Sequence, residues 1–462
     1  MPRIFLPNTN ILRKLSERLH LDRSLAFVLL NKVWQVLAGP ITIALIIVNF
    51  SLQDQGVYSA IIGIIGIQSL FELGLLNVLI GQAGHELPHF SGDGTSDSDV
   101  QNESMKRMAE LIRYSRRWFA IASILFVALA FAIGWITFQR GNADGWQWPL
   151  AFVIPLSAIT VFLSPSIAIL EGAGFRAEVY RNRLFQMITG SLVVWLGLTL
   201  GFKLWVLVLS ATVQVGWMAY LTHWRHASFF QQFLVVKQRP FNFSWRYDVA
   251  PIQWRSAIVS IVFYIATGLF TVIVINFHSA TEAAPLGMTL TVTSAIQMLA
   301  LAWIQTKYPL VAAMHGARRR EEAGTLWRQI SVTSTALLVT GLGTLTALIA
   351  LLPIAETWTS VALVPRFLSV TQVVMLGVGC VLTHAIAIQG FYVLSRRSSP
   401  LIGASVLGYG TVAVAVWLGG YYGGTNGLLV GYATAMLIVA FPIHTFAYLK
   451  FRSAQPDQTS RA

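Results

Sequence analysis

The chain has 462 residues, of which 55% are hydrophobic and only 11% charged, and its formal net charge is +13. A soluble domain carries about 25% charged residues, so this composition excludes an ordinary soluble fold. The basic residues lie between long apolar segments. They therefore indicate membrane topology and contact with anionic headgroups rather than binding of nucleic acid.

Residues 1–24 form a polar arm before the first apolar segment. Ile11, Leu12, Leu15 and Leu19 recur at helical spacing. This pattern predicts a short amphipathic helix lying in the cytoplasmic interface. The arm lacks the apolar core of a cleaved signal peptide, so we expect the first span to act as an uncleaved signal.

Twelve apolar segments follow, and each is long enough to cross about 30 Å of hydrocarbon as a helix. Continuous apolar runs of this kind indicate helices, whose backbone groups are satisfied internally. The sequence therefore predicts an all-α polytopic membrane protein. The segments are 25–50, 56–81, 117–138, 148–170, 184–201, 204–224, 252–276, 284–306, 329–353, 367–393, 399–419 and 425–448.

The basic residues lie almost entirely on one side of these spans. With the N-terminus in the cytoplasm, 28 of the 32 Lys and Arg residues fall inside, and only Arg140, Lys203 and Arg366 fall outside. This bias predicts that both termini are cytoplasmic. The outer loops are short, so no extracytoplasmic domain is expected.

The inner loops are longer and divide the chain. The loop 82–116 contains a run of small polar residues at 91–99, which predicts disorder, and it returns to the membrane through a basic helical stretch. The loop 225–251 separates an N-lobe at 25–224 from a C-lobe at 252–448, which is followed by a cytoplasmic tail at 449–462.

A weak internal repeat agrees with this division. The first span ends at Asn49-Phe50 and is followed by Gln68, and the seventh ends at Asn276-Phe277 and is followed by Gln297. Both copies start on the cytoplasmic side, so they predict parallel repeats related by an axis along the membrane normal. Chance similarity between apolar segments is the alternative.

Three stretches carry a family resemblance over nearly the whole chain. They are Phe71-Glu72-Leu73-Gly74-Leu75 in the second span, Leu170-Glu171-Gly172 after the fourth, and Gln305-Thr306-Lys307-Tyr308-Pro309 after the eighth. Together with span order and loop lengths, they resemble the polysaccharide-transporter branch, which includes O-antigen flippases, of the multidrug/oligosaccharidyl-lipid/polysaccharide exporter superfamily. The resemblance implies two six-helix lobes around a central cavity and alternating access. It also implies movement of polyprenyl-pyrophosphate-linked sugars across the bacterial inner membrane.

Charged residues inside spans are costly and mark candidate sites. Lys32, Arg255 and Lys307 would lie near the cytoplasmic mouth of a cavity lined by the first, second, seventh and eighth spans. Cations there would complement a pyrophosphate, although Arg255 and Lys307 could instead reach lipid headgroups. Glu72 could bind a coupling ion or form a structural ion pair with Lys32.

Other residues in the spans have both a functional and a structural interpretation. Trp34 could stack against sugar, as could Trp217, Trp254 and Tyr264, but aromatic residues near span ends are typical of interface belts. His384 could relay protons or be a hydrogen-bonded core residue. Pro40 removes a helix bond and could permit a gating bend, or could fix a permanent kink.

The favoured function is a flippase for a lipid-linked oligosaccharide, with membrane lipids and the polysaccharide polymerase or ligase machinery as partners. We expect no catalytic residue, no metal and no cofactor, because the chain has no phosphate-binding GxxxxGK[S/T] loop and no Cys/His cluster of zinc-ligand spacing. The alternative is a cation-coupled multidrug antiporter, which would need an acidic cavity. A membrane glycosyltransferase or O-antigen ligase is disfavoured, because such enzymes use long outer loops.

Overall fold

The computed structural model describes residues 23–72, 75–90, 98–234, 250–317, 319–359, 361–396 and 401–453. The predicted interfacial helix, the centre of the loop at 91–99, most of the linker at 225–251 and the end of the tail lie outside these ranges. Within them, every regular element is helical and no strand occurs.

Sixteen α-helices are numbered here in chain order within the described ranges. They are α1 Arg23–Asn49, α2 Leu52–Gly66, α3 Gln68–Glu72, α4 Leu75–Phe90, α5 Ser98–Arg140, α6 Gln147–Gly172, α7 Arg176–Thr199, α8 Trp205–Ala219, α9 Ala227–Leu234, α10 Ala250–Thr267, α11 Phe270–Phe277, α12 Ala280–Gly316, α13 Arg320–Thr359, α14 Val370–Ser395, α15 Ile402–Ala435 and α16 Phe441–Ser453. Short π-helical turns continue α8 and join α15 to α16.

Eight helical stretches in the described ranges are long and apolar enough to cross a membrane, or nine if the bent pair of α10 and α11 counts as one span. The protein is therefore a multi-pass membrane protein. Many large apolar side chains lie on its surface, among them Ile124, Phe446 and Val48, which are 70%, 71% and 71% exposed. Such a surface suits contact with lipid and not with water.

The second predicted span is divided in the structure. The stretch 56–81 is distributed over α2, α3 and α4, with a turn at Ile67 between the first two. Gly66 precedes this turn, and a Cβ atom there would lie 2.6 Å from the hydroxyl of Tyr264. Close packing against Tyr264 thus requires glycine where α2 ends, a constraint that periodicity does not show.

The last two predicted spans lie on the two arms of a helical hairpin. The backbone leaves helical geometry at Gly423 and Gly424. Close contacts then pair Gly419 with Gly427, and Ala415 with Gly431, on opposite sides of this point. Each contacting pair is centred on residue 423, so the two stretches run antiparallel and the chain reverses at that residue. We call this the terminal hairpin, and its small residues let the two arms approach closely.

Contacts between other helices fix their relative directions. Helices α2 and α12 run the same way, because Gly56 meets Ala280 and Ser59 meets Gly287. Helix α14 runs parallel to the second arm of the terminal hairpin, because Gln372 bonds Asn426 and Gln389 bonds Thr445. These directions are those expected for spans two and eight, and for spans ten and twelve, of a chain that alternates between the two sides.

Packing divides the chain into two compact units. The N-terminal unit comprises Met1–Leu45, Gly74–Val127 and Phe152–Val249, and the C-terminal unit comprises Ile46–Leu73, Ala128–Ala151 and Ala250–Ala462. These units differ from the sequential halves, because the segments at 46–73 and 128–151 pack with the C-terminal part. The lobe boundaries expected from the sequence stay a prediction.

Candidate functional site

Helix α1 of the N-terminal unit presents two different faces. Asn31 and Ala38 are buried, whereas Leu29 and Val36 are 50% and 49% exposed. Lys32 lies one turn from both exposed residues and is half-buried. Lys32 thus lies on the same face of α1 as these exposed apolar residues, and its role in substrate binding stays a prediction.

Trp34 lies on the packed side of the same helix. Its indole N–H donates to the Ser191 hydroxyl (3.3 Å) on α7, and the Trp195 indole donates to the Thr42 hydroxyl (2.9 Å) on α1. The two indole rings lie 6.0 Å apart. These reciprocal bonds hold α1 and α7 in parallel, as alternating spans one and five should be. Sugar stacking by Trp34 stays a prediction.

A second aromatic pair, Phe185 and Trp217, makes similar contacts on α7. The rings of Phe185 and Trp217 are stacked, with centroids 5.8 Å apart and planes 16° apart. The Trp217 indole N–H donates to the Thr189 hydroxyl (2.8 Å), and the Asn182 amide donates to the Trp217 carbonyl (3.1 Å). Each indole is thus oriented by a hydroxyl on a neighbouring helix, because a buried N–H needs an acceptor.

Asn31 is a polar residue of α1 that the sequence analysis did not single out. Its side chain is only 9% exposed, and its Oδ1 atom is buried without a hydrogen-bond partner within the described ranges. It precedes Lys32 directly and lies one turn before Trp34 on the packed side. The sequence could have drawn attention to Asn31, because an amide in the first predicted span directly precedes Lys32.

The remaining predicted site residues lie in several different elements. Glu72 is the half-buried last residue of α3, and Lys307 is an exposed residue of α12, which continues to Gly316 beyond the predicted span end. Pro40 lies inside α1, which continues to Asn49. Arg255 belongs to α10, but its side chain lies outside what the structure describes. Their roles in substrate binding, coupling and gating stay predictions.

A buried carboxylate lies at the end of α6. Glu171 accepts hydrogen bonds from the Tyr180 hydroxyl (2.6 Å) and from the Arg183 guanidinium (3.1 Å). The guanidinium also lies over the Tyr180 ring, 5.2 Å from its centre. Burial, and secondly the bond to Glu171, raise the pKa of Tyr180. The resemblance drew attention to Glu171, but only the fold shows that it interacts with Tyr180 and Arg183.

Glu178, on the first turn of α7, contacts Arg225 and His226. Arg225 donates to its carboxylate at 3.2 Å, and the His226 ring lies at the same distance from it. Removal from water lowers the pKa of His226, against the opposing effect of Glu178. These contacts join the start of α7 to the end of the π-helical turn that continues α8.

His384 lies in the interior of the C-terminal unit. The Ser334 hydroxyl donates to the Ala300 carbonyl (2.6 Å), so it can only accept from the His384 ring nitrogen 3.0 Å away. The ring therefore carries its proton on Nε2 and joins α12, α13 and α14. This geometry favours the interpretation of His384 as a hydrogen-bonded core residue.

The fold resembles those of solved transporters. One is an inward-facing multidrug resistance MATE family transporter of the MOP superfamily, with a TM-score of 0.54, 16% identity, and coverage of 90% of this chain and 99% of that chain. Another is the lipid II flippase MurJ in an inward closed conformation, with a TM-score of 0.56, 10% identity, and coverage of 92% and 89%.

A third is a MOP superfamily transporter from Pyrococcus furiosus, described as having a binding pocket of reverse polarity, with a TM-score of 0.50, 16% identity, and coverage of 94% and 96%. No family profile matches the chain. No curated protein matches it by sequence. The chain therefore has the fold of transporters of the MOP superfamily, the superfamily that the sequence resembles.

Proposed function

We propose that the protein is a flippase that moves a polyprenyl-pyrophosphate-linked oligosaccharide, a precursor of lipopolysaccharide, O-antigen or exopolysaccharide, across the bacterial inner membrane by alternating access. The observation that supports this substrate is Lys32, a half-buried lysine within the predicted first span, on the face of α1 that carries Leu29 and Val36. A cation at this position complements a pyrophosphate and has little use in a site for cationic drugs.

The fold supports a transporter, and one of its solved neighbours is itself a lipid II flippase. Twelve spans with both termini cytoplasmic are part of the proposal. The helix directions and the reversal at Gly423–Gly424 agree with this arrangement. The two sequential lobes, and an association with polysaccharide polymerase or ligase machinery, complete it.

A cation-coupled multidrug antiporter is the second candidate, because MATE transporters share the fold. This function needs carboxylates available to a cationic substrate. Glu72, a half-buried carboxylate in the second predicted span, is the candidate for this role. The third possibility, an enzyme, has less support, since the neighbours named above are transporters and flippases.

The test measures the leaflet distribution of fluorescent polyprenyl-pyrophosphate oligosaccharide in proteoliposomes of the purified protein. Lys32→Ala should slow flipping, because losing one charge-assisted hydrogen bond of about 1.5–3 kcal/mol weakens binding about 10- to 150-fold. Lys450→Ala, at an exposed position in α16, is the matched control and should leave the rate unchanged.

One outcome would contradict the flippase and another would contradict the role of Lys32. If the wild type moves no glycolipid but exports lipophilic cations, and Glu72→Gln abolishes that export, the antiporter is correct. Equal flipping by Lys32→Ala and wild type would remove Lys32 from the substrate site.

A further inference from the structure

Helices α14 and α16 of the C-terminal unit lie side by side in a constant register. The Gln389 amide donates to the Thr445 hydroxyl (2.9 Å), and the ring centres of Tyr392 and Tyr448 lie 5.7 Å apart. Both contacts join residues that are 56 positions apart in the sequence. Because the two helices run in the same direction, any two of their residues with this separation lie at the same height.

One turn beyond each of these tyrosines, the helix carries an arginine. Arg396 follows Tyr392 by four residues, and Arg452 follows Tyr448 by four residues. Residues four apart share a helix face, so each arginine lies on the side of its tyrosine. The two arginines have the same separation in sequence as the two tyrosines, and the register therefore brings them next to each other where α14 and α16 end.

The two tyrosines orient the guanidinium groups. The Arg396 guanidinium lies over the Tyr392 ring, 4.8 Å from its centre, and donates to the Tyr392 hydroxyl. Arg396 and Arg452 both lie close enough to the Tyr448 hydroxyl to act on it electrostatically. Arg396 is half-buried and Arg452 is exposed. Two positive charges therefore converge on one tyrosine, at a position that a molecule from outside can reach.

Packed aromatic rings form a rigid floor beneath the arginines. Tyr392 and Trp327 are buried, and their ring centres lie 5.8 Å apart. The His315 ring lies 5.6 Å from the Tyr392 ring. The Ser395 hydroxyl donates to the Tyr392 carbonyl (2.6 Å), so it accepts from His315 Nδ1 (2.9 Å). Because Tyr392 is fixed on several sides, the guanidinium above it is preorganised, which lowers the entropic cost of binding an anion.

Two guanidinium groups side by side repel each other unless an anion lies between them. The helix ends stabilise each cation singly through their dipoles, and the neutral tyrosine hydroxyls orient the arginines without neutralising them. A guanidinium presents its N–H donors in a planar fork that matches the oxygens of a phosphate. The arginine pair is therefore suited to binding one phosphate group.

We propose that Arg396 and Arg452 bind the phosphate of an anionic phospholipid. The predicted topology places this end of the unit at the cytoplasmic surface, where anionic headgroups meet basic residues. Phe446 and Leu449 of α16 are 71% and 53% exposed and lie within two turns before Arg452. The acyl chains of a bound lipid can pack along them, which a free phosphate cannot do. The site uses none of the predicted substrate residues, so it goes beyond the proposed function.

The test counts phosphatidylglycerol bound to the purified full-length protein in detergent by native mass spectrometry, with zwitterionic phosphatidylcholine as the comparison. The wild type should bind one phosphatidylglycerol with about tenfold higher affinity than phosphatidylcholine. Arg396→Gln and Arg452→Gln should each lower this affinity about tenfold, because one charge-assisted partner of the phosphate is lost. The double variant should lose little more than either single variant, since both arginines hold the same phosphate. Arg452→Lys keeps the charge but not the fork, and should retain only part of the affinity.

Lys450→Gln is the matched control, because it removes one positive charge from the same helix, two residues before Arg452 and on a different face. This exposed charge should change the affinity by less than about twofold. Binding of a thiol-reactive dye to the buried Cys380 during heating establishes that each variant is folded.

Two results would overturn the proposal. Equal losses in Lys450→Gln and Arg452→Gln would mean that the charged surface as a whole attracts the lipid, without a site. If inorganic phosphate raises the melting temperature as much as phosphatidylglycerol does at the same concentration, the ligand is a free anion and not a lipid. Because the readout is bound lipid, it does not depend on whether the protein flips a glycolipid.

Discussion

Gln55 is expected to be a main structural link within the C-terminal unit. It lies on α2, is 1% exposed, and donates through its side-chain amide to the carbonyls of Ala284 (2.9 Å) and Arg366 (3.1 Å). Its Oε1 accepts from the Arg366 guanidinium (3.1 Å), which also donates to the Phe50 carbonyl (2.6 Å). One amide thus joins α2 to α12 and to the loop before α14.

Gln55→Met keeps the length of the side chain but removes all three bonds. Each bond between neutral groups contributes about 0.5–1.5 kcal/mol and the bond to the guanidinium about 1.5–3 kcal/mol, so the free energy of unfolding should fall by about 2.5–6 kcal/mol. At about 2 °C per kcal/mol for a unit of this size, the melting temperature should fall by about 5–12 °C.

The assay uses the single cysteine of the chain. Cys380 is buried in the same unit, so a thiol-reactive fluorescent dye reports unfolding during a temperature ramp in detergent. Gln139→Met is the matched control, because Gln139 is exposed on α5 and belongs to the same unit. If the melting temperatures of Gln55→Met and Gln139→Met agree within about 1 °C, the hydrogen bonds of Gln55 do not stabilise this unit.

Three further predictions concern single contacts. Tyr180→Phe removes the hydroxyl that donates to buried Glu171 and should lower the free energy of unfolding by about 1.5–3 kcal/mol. The loss of helical circular dichroism on heating measures this change, with Tyr220→Phe at an exposed position of the same unit as the control. Gly424→Ala should destabilise the terminal hairpin by about 1–3 kcal/mol or more, because φ +54° is strained for alanine; an unchanged melting temperature would contradict this. Burial lowers the pKa of His226 in the folded state. Below about pH 6.5 the unfolded state therefore binds more protons than the folded state, and the free energy of unfolding should fall on acidification. His226→Asn should reduce this pH dependence.

The class of protein could be predicted from the sequence. Twelve apolar segments, basic loops on one side and little charge elsewhere indicate a polytopic helical membrane protein, because the bilayer imposes its thickness and its cost for charge on every span alike. The stretches around Glu72, Glu171 and Lys307 pointed to the superfamily whose fold the structure has. Such constraints are local, so a single sequence displays them.

Span boundaries were harder to predict, because neighbouring helices decide them. The division of the second span at Gly66 reflects the side chain of Tyr264, which is almost 200 positions away in sequence. In the terminal hairpin, the two arms are distinguished by the non-helical backbone at Gly423 and Gly424 and by the contacts that pair Gly419 with Gly427.

The pairing of polar groups was decided only by the tertiary structure. In the sequence, Arg366 is one of three basic residues on the predicted outer side of the membrane, and His278 lies in a predicted outer loop without a motif. In the fold, Arg366 is held by Gln55 and Phe50, and His278 faces Glu282 and Gly420. Hydropathy and charge bias determine which segments enter the bilayer, because each residue meets lipid or water independently. Hydrogen bonds and ion pairs need two groups from distant parts of the chain within about 3 Å, and only folding brings them together.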